Sequence, residues 1–495
     1  NPLERTTVTV TGMFADQPVA SQFIGGEWRD GSSDRTVDVT NPYDDTVVTS
    51  IRLADASDLD AAYEAAQDAQ REWAATGPAG RRKVMLAAAE ILRSRRHEIV
   101  DWLVRESGST MMKAHIEVSL AVTMTQEAAS FPTRVSGQIF DTNTPNREVR
   151  VERGPVGVVG VISPWNFPLH LTQRSVAPAL ALGNAVVIKP ASDTPVTGGL
   201  LLARVFEEAG LPAGVLNVVV GAGSEIGDEF VAHRIPGLIS FTGSTPVGKN
   251  VGRVAMTGDH LKPVALELGG NAPFVVLADA DLDAAVQAAV GGAFLHSGQI
   301  CMAVNRIIVE EPVREAFVEK FVAATRSVAV GDPGDKRTLV GPIINDSQVE
   351  SLQGKIALAR EEGATVELDG ELDGRVLPPH IFSDVSPESE LAREEIFGPL
   401  VGILTARDAD HALELANEAT FGLTASVFTQ DLDRGLRFAR RMASGMAFVN
   451  EGPIQDEAHV AFGGTRNSGL GRFNGEWAID AFTSTQTLGV VRIGD

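Results

Sequence analysis

The sequence predicts an α/β protein built on a doubly wound parallel sheet, with a second α/β unit after it. Three observations carry this. Between Arg153 and Gly270, five short apolar runs alternate with four stretches of helical periodicity. Each apolar run ends in a loop rich in Gly, Pro or small polar residues. From Phe274 the alternation starts again around the chain's one cysteine, Cys301.

In chain order, Phe23 to Trp28 and Val37 to Asn41 read as edge hairpins, punctuated by Gly25-Gly26, Gly31 and Asn41-Pro42. A helix is expected from Ser57 as N-cap, and another from Arg81 to Arg105, stopped by Gly108. Residues 131–150 break the helical pattern and read as a projecting polar hairpin or a plain loop. The five strands are expected at Val156–Ile162, Ala185–Ile188, Val215–Val219, Leu238–Phe241 and Val264–Leu268. The intervening helices fall at Thr172–Leu182, Gly198–Ala209, Glu225–Ala232 and Val247–Met256. Beyond them come a helix from Asp281 to Phe294, the cysteine loop, a strand at Arg306–Val309 and a helix from Arg314 to Ser327. The tail from Trp477 reads as β, pairing either with the 131–150 hairpin or with another subunit.

Ligands of a doubly wound sheet lie outside the carboxyl ends of its strands. The loops there are SPWNFP, KPASDTP, GAGSEIG, TGSTPVGK and GG. Five such loops in register fit one elongated ligand, such as a dinucleotide. Gly221 to Gly227 is one residue too long for the GxGxxG fingerprint, and the stretch from Gly243 nearly matches a P-loop but ends in Asn250, without the hydroxyl that holds magnesium. Nucleotide hydrolysis is therefore not expected.

At 495 residues the chain exceeds one ordinary core, and 44% hydrophobic with 22% charged residues is a globular balance. The net charge of −23 argues against a nucleic-acid partner. No apolar run reaches membrane-spanning length and no leader pattern opens the sequence, so no membrane partner and a cytoplasmic location are expected. No metal-ligand spacing is present, and no metal is expected.

Cys301 leaves no partner for a disulfide within the chain. A lone cysteine is usually a small buried hydrophobe. Here Gly298 and Gln299 precede it, which points to a close backbone approach to something bound, and a nucleophilic thiol needs nearby N–H groups for its oxyanion. Glu267, inside an apolar strand and before Gly269-Gly270, is costly there unless it works or is paired. Asn166 offers an amide that donates to an oxyanion or caps the next helix, and Lys189 ends a strand where a ribose or phosphate would lie.

ISPWNFPL, VIKP, FTGST, LELGGNAP, GQICMAVNR, EEIFGPL and FGGTRNSGLGR, taken together, resemble the aldehyde dehydrogenase superfamily over nearly the whole chain, most of all its benzaldehyde and vanillin dehydrogenase branch. The resemblance implies a Rossmann-like NAD(P)-binding domain (1–130 and 151–264), a catalytic α/β domain (265–472) and a β oligomerisation element (131–150 and 473–495) in a homodimer or homotetramer. It implies Cys301 as nucleophile on a small aldehyde, Asn166 with the Cys301 N–H as oxyanion donors, and Glu267 as general base, the product being a carboxylic acid. For NAD or NADP it implies Ile162, Ser163, Trp165, Lys189, Ser192, Gly223, Gly227, Gly243, Ser244, Val247, Glu395 and Phe397. Ser192 stands where NAD-preferring members often carry glutamate, which leaves NADP open. An aldehyde tunnel is implied at Phe167, His170, Arg174, Ile300, Met302, Ile454 and Phe462. Ala461 departs from the proline many relatives have before FGG. The same chemistry on a semialdehyde or aliphatic aldehyde is the alternative, and a non-catalytic dinucleotide-binding protein is the alternative of another class.

Overall fold

A computed structural model describes residues 21–492; the expectations for 1–20 and 493–495 lie outside the described residues. The alternation between 153 and 270 closes into the parallel centre of an eight-stranded sheet. Its spatial order is 469–470, 264–267, 238–242, 158–162, 185–189, 216–218, 22–24, 27–29. The middle five strands are parallel, and the outer three are added antiparallel. The chain leaves the central strand 158–162 in one direction through 185–189 and 216–218, then crosses back to 238–242. The crevice for an elongated ligand therefore opens at the carboxyl ends of 158–162 and 238–242.

The second unit is a seven-stranded sheet in the order 365–368, 380–383, 400–406, 304–310, 272–276, 424–428, 446–449, antiparallel only between its first two members. A third sheet pairs 138–141 with 147–155, and 147–155 with 483–491, so the tail pairs with the hairpin of its own chain. Strands 36–40 and 47–52 form a separate hairpin.

Several elements differ from the sequence expectation. The first helix, Ala56–Ala75, is capped by Asp55, whose carboxylate accepts from the N–H groups of Ser57 and Asp58 while Asp58 reciprocates. Ser57 lies inside the first turn, because the Asp55 carboxylate two residues earlier takes the cap and accepts from the free N–H groups. The expected 81–105 helix is two, 77–94 and 96–107, separated at Arg95. A further helix, 111–128, is capped by Thr110 and packs against 168–181. That last helix starts at Pro168, whose missing N–H suits a first turn. Trp477 belongs to a short helix, 475–481, which buries Ala478 and Ile479; the tail strand starts only at Thr483.

Candidate active site

Cys301 is presented by a tightly wound segment. After the helix 282–294, His296, Ser297 and Gly298 all adopt positive φ, at 51°, 57° and 68°. Two consecutive non-glycine residues in this conformation cost about 1–2 kcal/mol each, so their surroundings must hold them. The Ser297 hydroxyl donates to Gly341 O at 2.9 Å, and Gln299 Nε2 donates to His296 O and Pro342 O while its Oε1 accepts from Ile344 N–H. A side chain at Gly298 would sit 2.2 Å from Gly398 O. The close approach expected at Gly298 and Gln299 is thus to the protein itself, and both residues brace the loop that carries the thiol.

Across from this loop, Asn166 follows the central strand. Its Nδ2 donates to Gln299 O at 3.0 Å, leaving one amide hydrogen free. The Cys301 N–H donates to no acceptor among the described residues. Asn166 and Cys301 both line one cavity, and an oxyanion pocket needs two such donors at one place. Burial pushes the Cys301 thiol up to about 12; Arg174 opposes this, and the carboxylates of Glu395, Glu267 and Asp456 add to it.

Glu267 ends strand 264–267 and is 2% exposed, and neither of its oxygens has a hydrogen-bond partner. Burial raises it to about 8, against the pull of Arg174 and Arg472. The two glycines after it are steric necessities. A side chain on Gly269 would strike the Glu395 carboxylate, and one on Gly270 would lie 2.0 Å from Cys301 O. Glu395 Oε1 in turn accepts from Gly270 N–H at 2.8 Å.

A cavity of about 180 Å³ opens in front of Cys301. Phe167, His170, Ile300, Met302, Ile454 and Phe462 line it together with Asn166. Arg174 is a correction. It is 1% exposed and not among the lining residues; its guanidinium lies over the rings of Phe462 and Phe473 and 3.5 Å from Asp456, one layer behind the wall. The cation is buried there because two aromatic faces and a carboxylate replace its hydration.

The cofactor-side residues sit at the carboxyl ends of the sheet. Lys189 is buried, its Nζ donating to Pro190 O and Gly221 O, and burial lowers it to about 8. Helices 223–232 and 245–257 both begin without a side-chain cap, so their first N–H groups are free for an anion. Ser244 directly precedes the second of these, and Val247, exposed, lies in its first turn. Gly223 and Gly227 have open space where a side chain would be, whereas one at Gly243 would meet the Phe241 ring. Ile162 ends the central strand, and the Ser163 hydroxyl meets Gly198 O. The rings of Trp165 and Phe397 stand edge to face, 5.3 Å apart. Ser192 is exposed in the loop after Lys189. A lysine, two uncapped helix starts and an open glycine surface at one strand-end crevice fit a dinucleotide.

The aldehyde dehydrogenase family profile matches residues 28–488. The chain belongs to the aldehyde dehydrogenase family. It is 59% identical to the vanillin dehydrogenase of Corynebacterium glutamicum over 98% of this chain and 100% of that one. A benzaldehyde dehydrogenase of Bacillus subtilis is 45% identical over 97% and 98%. The crystal structure of an NAD-dependent benzaldehyde dehydrogenase from Corynebacterium glutamicum superimposes with a TM-score of 0.90 at 56% identity, over 97% of this chain and 98% of that one.

In this family member, two groups beside the site escaped the sequence reading. Asp456 contacts His170, Arg174 and Asn474, yet it stands in IQDEAH with nothing to mark it. Lys113 and Glu117 form a wholly buried ion pair under the Asn166 turn, Glu117 accepting from Leu169 N–H and His170 N–H. Their spacing of four on a helix was the available signal. Among the described residues no helix is long and apolar enough to cross a membrane, and no cluster of three or more His, Cys, Asp or Glu could hold a metal.

Proposed function

We propose that this chain oxidises an aromatic aldehyde to the carboxylic acid with NAD or NADP. The observation that carries the reading is that Cys301 and Asn166 line one largely apolar cavity, with the Glu267 carboxylate near enough to Cys301 for its charge to act on the thiol. Its walls suit a flat ring, and the relatives named for vanillin and benzaldehyde support that class.

In the mechanism, Glu267 in its ionised form draws the proton from Cys301, whose thiol is otherwise kept protonated by its buried, anionic surroundings. Sγ attacks the aldehyde carbon, and the resulting oxyanion is held by Asn166 Nδ2 and the Cys301 N–H. Bound NAD or NADP supplies the hydride acceptor. Cys301 then carries the acyl group as a thioester; Glu267, once it has released the thiol's proton to solvent, takes a proton from the water that hydrolyses the thioester, which frees the carboxylic acid and the Cys301 thiol. Lys189 would hold the adenosine ribose, the starts of helices 223–232 and 245–257 the pyrophosphate, and Glu395 the nicotinamide ribose. We assign 1–130 with 151–264 to cofactor binding, 265–472 to catalysis, and 131–150 with 473–495 to assembly of a cytoplasmic homodimer or homotetramer.

The test is NAD(P)H absorbance with benzaldehyde, vanillin, succinic semialdehyde and acetaldehyde, each with both cofactors, beside a Cys301→Ala control. High kcat/KM for the aromatic pair, absent in the control, is expected. Turnover confined to the other two aldehydes would keep the chemistry and overturn the substrate class.

A further inference from the structure

The cavity wall before Cys301 is mostly apolar, with Ile116, Leu120, Leu171 and Leu295 beside the residues above, and has one charged side, formed by His170 and Asp456. His170 Nε2 lies 2.7 Å from Asp456 Oδ2, and Asn474 Nδ2 donates to Oδ1 at 2.7 Å. Burial pushes Asp456 upward, but the bond to His170, the charge of Arg174 and the bond from Asn474 outweigh it and hold the carboxylate below its ordinary range. An ionised carboxylate accepts only, so Nε2 carries a proton, and in the neutral imidazole that proton is the only one.

That leaves Nδ1 as a bare acceptor. It is buried, on a residue 2% exposed that lines the cavity, and it has no hydrogen-bond partner among the described residues. His296 Nε2 is also buried without a partner among the described residues, but His296 is not among the residues lining this cavity. His233 meets Asp60 through Nε2 and the Ile235 N–H through Nδ1, so both nitrogens are used. A buried acceptor without a donor is costly in a folded protein, and the cavity is where its donor can arrive.

We propose that His170 Nδ1, oriented by Asp456, accepts the hydrogen bond of a phenolic hydroxyl on the substrate ring, and that this pair sets a preference for hydroxylated over unhydroxylated aromatic aldehydes. The inference rests on the aldehyde-oxidising reading and narrows it. A ring fluorine brings no proton to Nδ1, and an acid substituent, as on a semialdehyde, would face a lone pair and the Asp456 anion.

The test compares kcat/KM for 3- and 4-hydroxybenzaldehyde with the matching fluorobenzaldehydes, close in size but without a proton to donate. It uses the parent, His170→Phe and Asp456→Asn enzymes. Binding of 4-hydroxybenzamide and 4-fluorobenzamide, measured by calorimetry, gives a readout free of turnover. The parent is expected to favour at least one hydroxy aldehyde over its fluoro counterpart, and the hydroxy amide over the fluoro amide, each by about tenfold relative to the same ratio in His170→Phe. Each ratio is taken within one enzyme, so a general loss of activity cancels. Asp456→Asn, which keeps the shape but removes the charge that fixes the imidazole proton, should lower both ratios part of the way, and it decides the matter if His170→Phe does not fold. Variants that keep the parent's ratios, or a parent that oxidises benzaldehyde but shows no hydroxyl preference, would overturn the assignment while leaving aldehyde oxidation standing. A parent inactive on every aldehyde would instead remove the reading beneath it, and the amide ratios would then decide whether the pair recognises a phenol.

Discussion

Asn166 Nδ2 donates to the carbonyl of Gln299 at 3.0 Å, across 133 residues of sequence, and so ties the end of the central strand to the loop that carries the thiol. The amide that would meet the oxyanion is thereby fixed relative to Cys301 before any substrate arrives. Replacing Asn166 with Ala removes both the donor and this tie. A fall in kcat of roughly 10²–10³ is expected, with a smaller change in KM, since the bond to the oxyanion forms only as the reaction proceeds. Steady-state NAD(P)H formation measures both constants.

Glu267 should impose a pH dependence with a definite sign. Its carboxyl titrates near 8 in the folded chain against an ordinary value of 4.5, so the base form, and with it turnover, should rise as pH passes through about 8. Glu267→Gln should lose that limb and slow deacylation by roughly 10²–10⁴, seen in a pH series by rapid quench. A raised folded value also means that the group's contribution to stability is complete below its unfolded pKa and is lost as pH rises through the folded one. The melting temperature of Glu267→Gln relative to the parent should therefore increase between pH 6 and 9.

The Lys113–Glu117 pair has no solvent exposure on either side chain. Lys113 Nζ lies 4.2 Å from the centre of the Phe167 ring, and Glu117 holds the first turn of helix 168–181. Lys113→Met should cost about 3–5 kcal/mol, because it strands a buried anion, and Lys113→Met with Glu117→Gln should recover part of that loss. Guanidinium unfolding of the two variants and the parent gives the comparison.

Cofactor choice should turn on Ser192. It is exposed after Lys189, and no carboxylate stands at that position to repel a 2′-phosphate. Ser192→Glu is expected to raise the KM for NADP by tenfold or more while leaving the KM for NAD within about twofold. Lys189→Ala should weaken both, measured as Kd by fluorescence titration of the purified enzyme.

What could be read in the sequence follows the range of the interactions. Strands 158–162, 185–189 and 238–242 and their loops were legible because alternation and strand-end glycines are local signals. Cys301 and Glu267 stood out because each sits in a short motif with a physical reason for its residue type, whereas Asn166 read equally as a helix cap and took its proposed role from the family resemblance. Asp456 was not legible, since its partner His170 lies 286 positions earlier and only the fold brings them together. Arg174 was placed at the substrate by the family resemblance, and a motif does not tell which helix face looks into a cavity and which is stacked on Phe462 and Phe473. The Asp55 cap shows the error at short range, where two cap formers two residues apart compete and the carboxylate takes the role.

Strand 264–267, which carries Glu267, is flanked on one side by the cofactor sheet and on the other by 469–470, where Glu267 aligns with Gly469 and Leu266 with Leu470. The outer border of the first sheet is therefore made by chain that arrives some two hundred residues later. A truncated polypeptide ending near residue 270 would present that border bare, an unpaired apolar edge of the sort that recruits other strands. During synthesis the same edge stays open until residues 469–470 emerge, so the surroundings of Glu267, the proposed general base, are completed only near the end of the polypeptide.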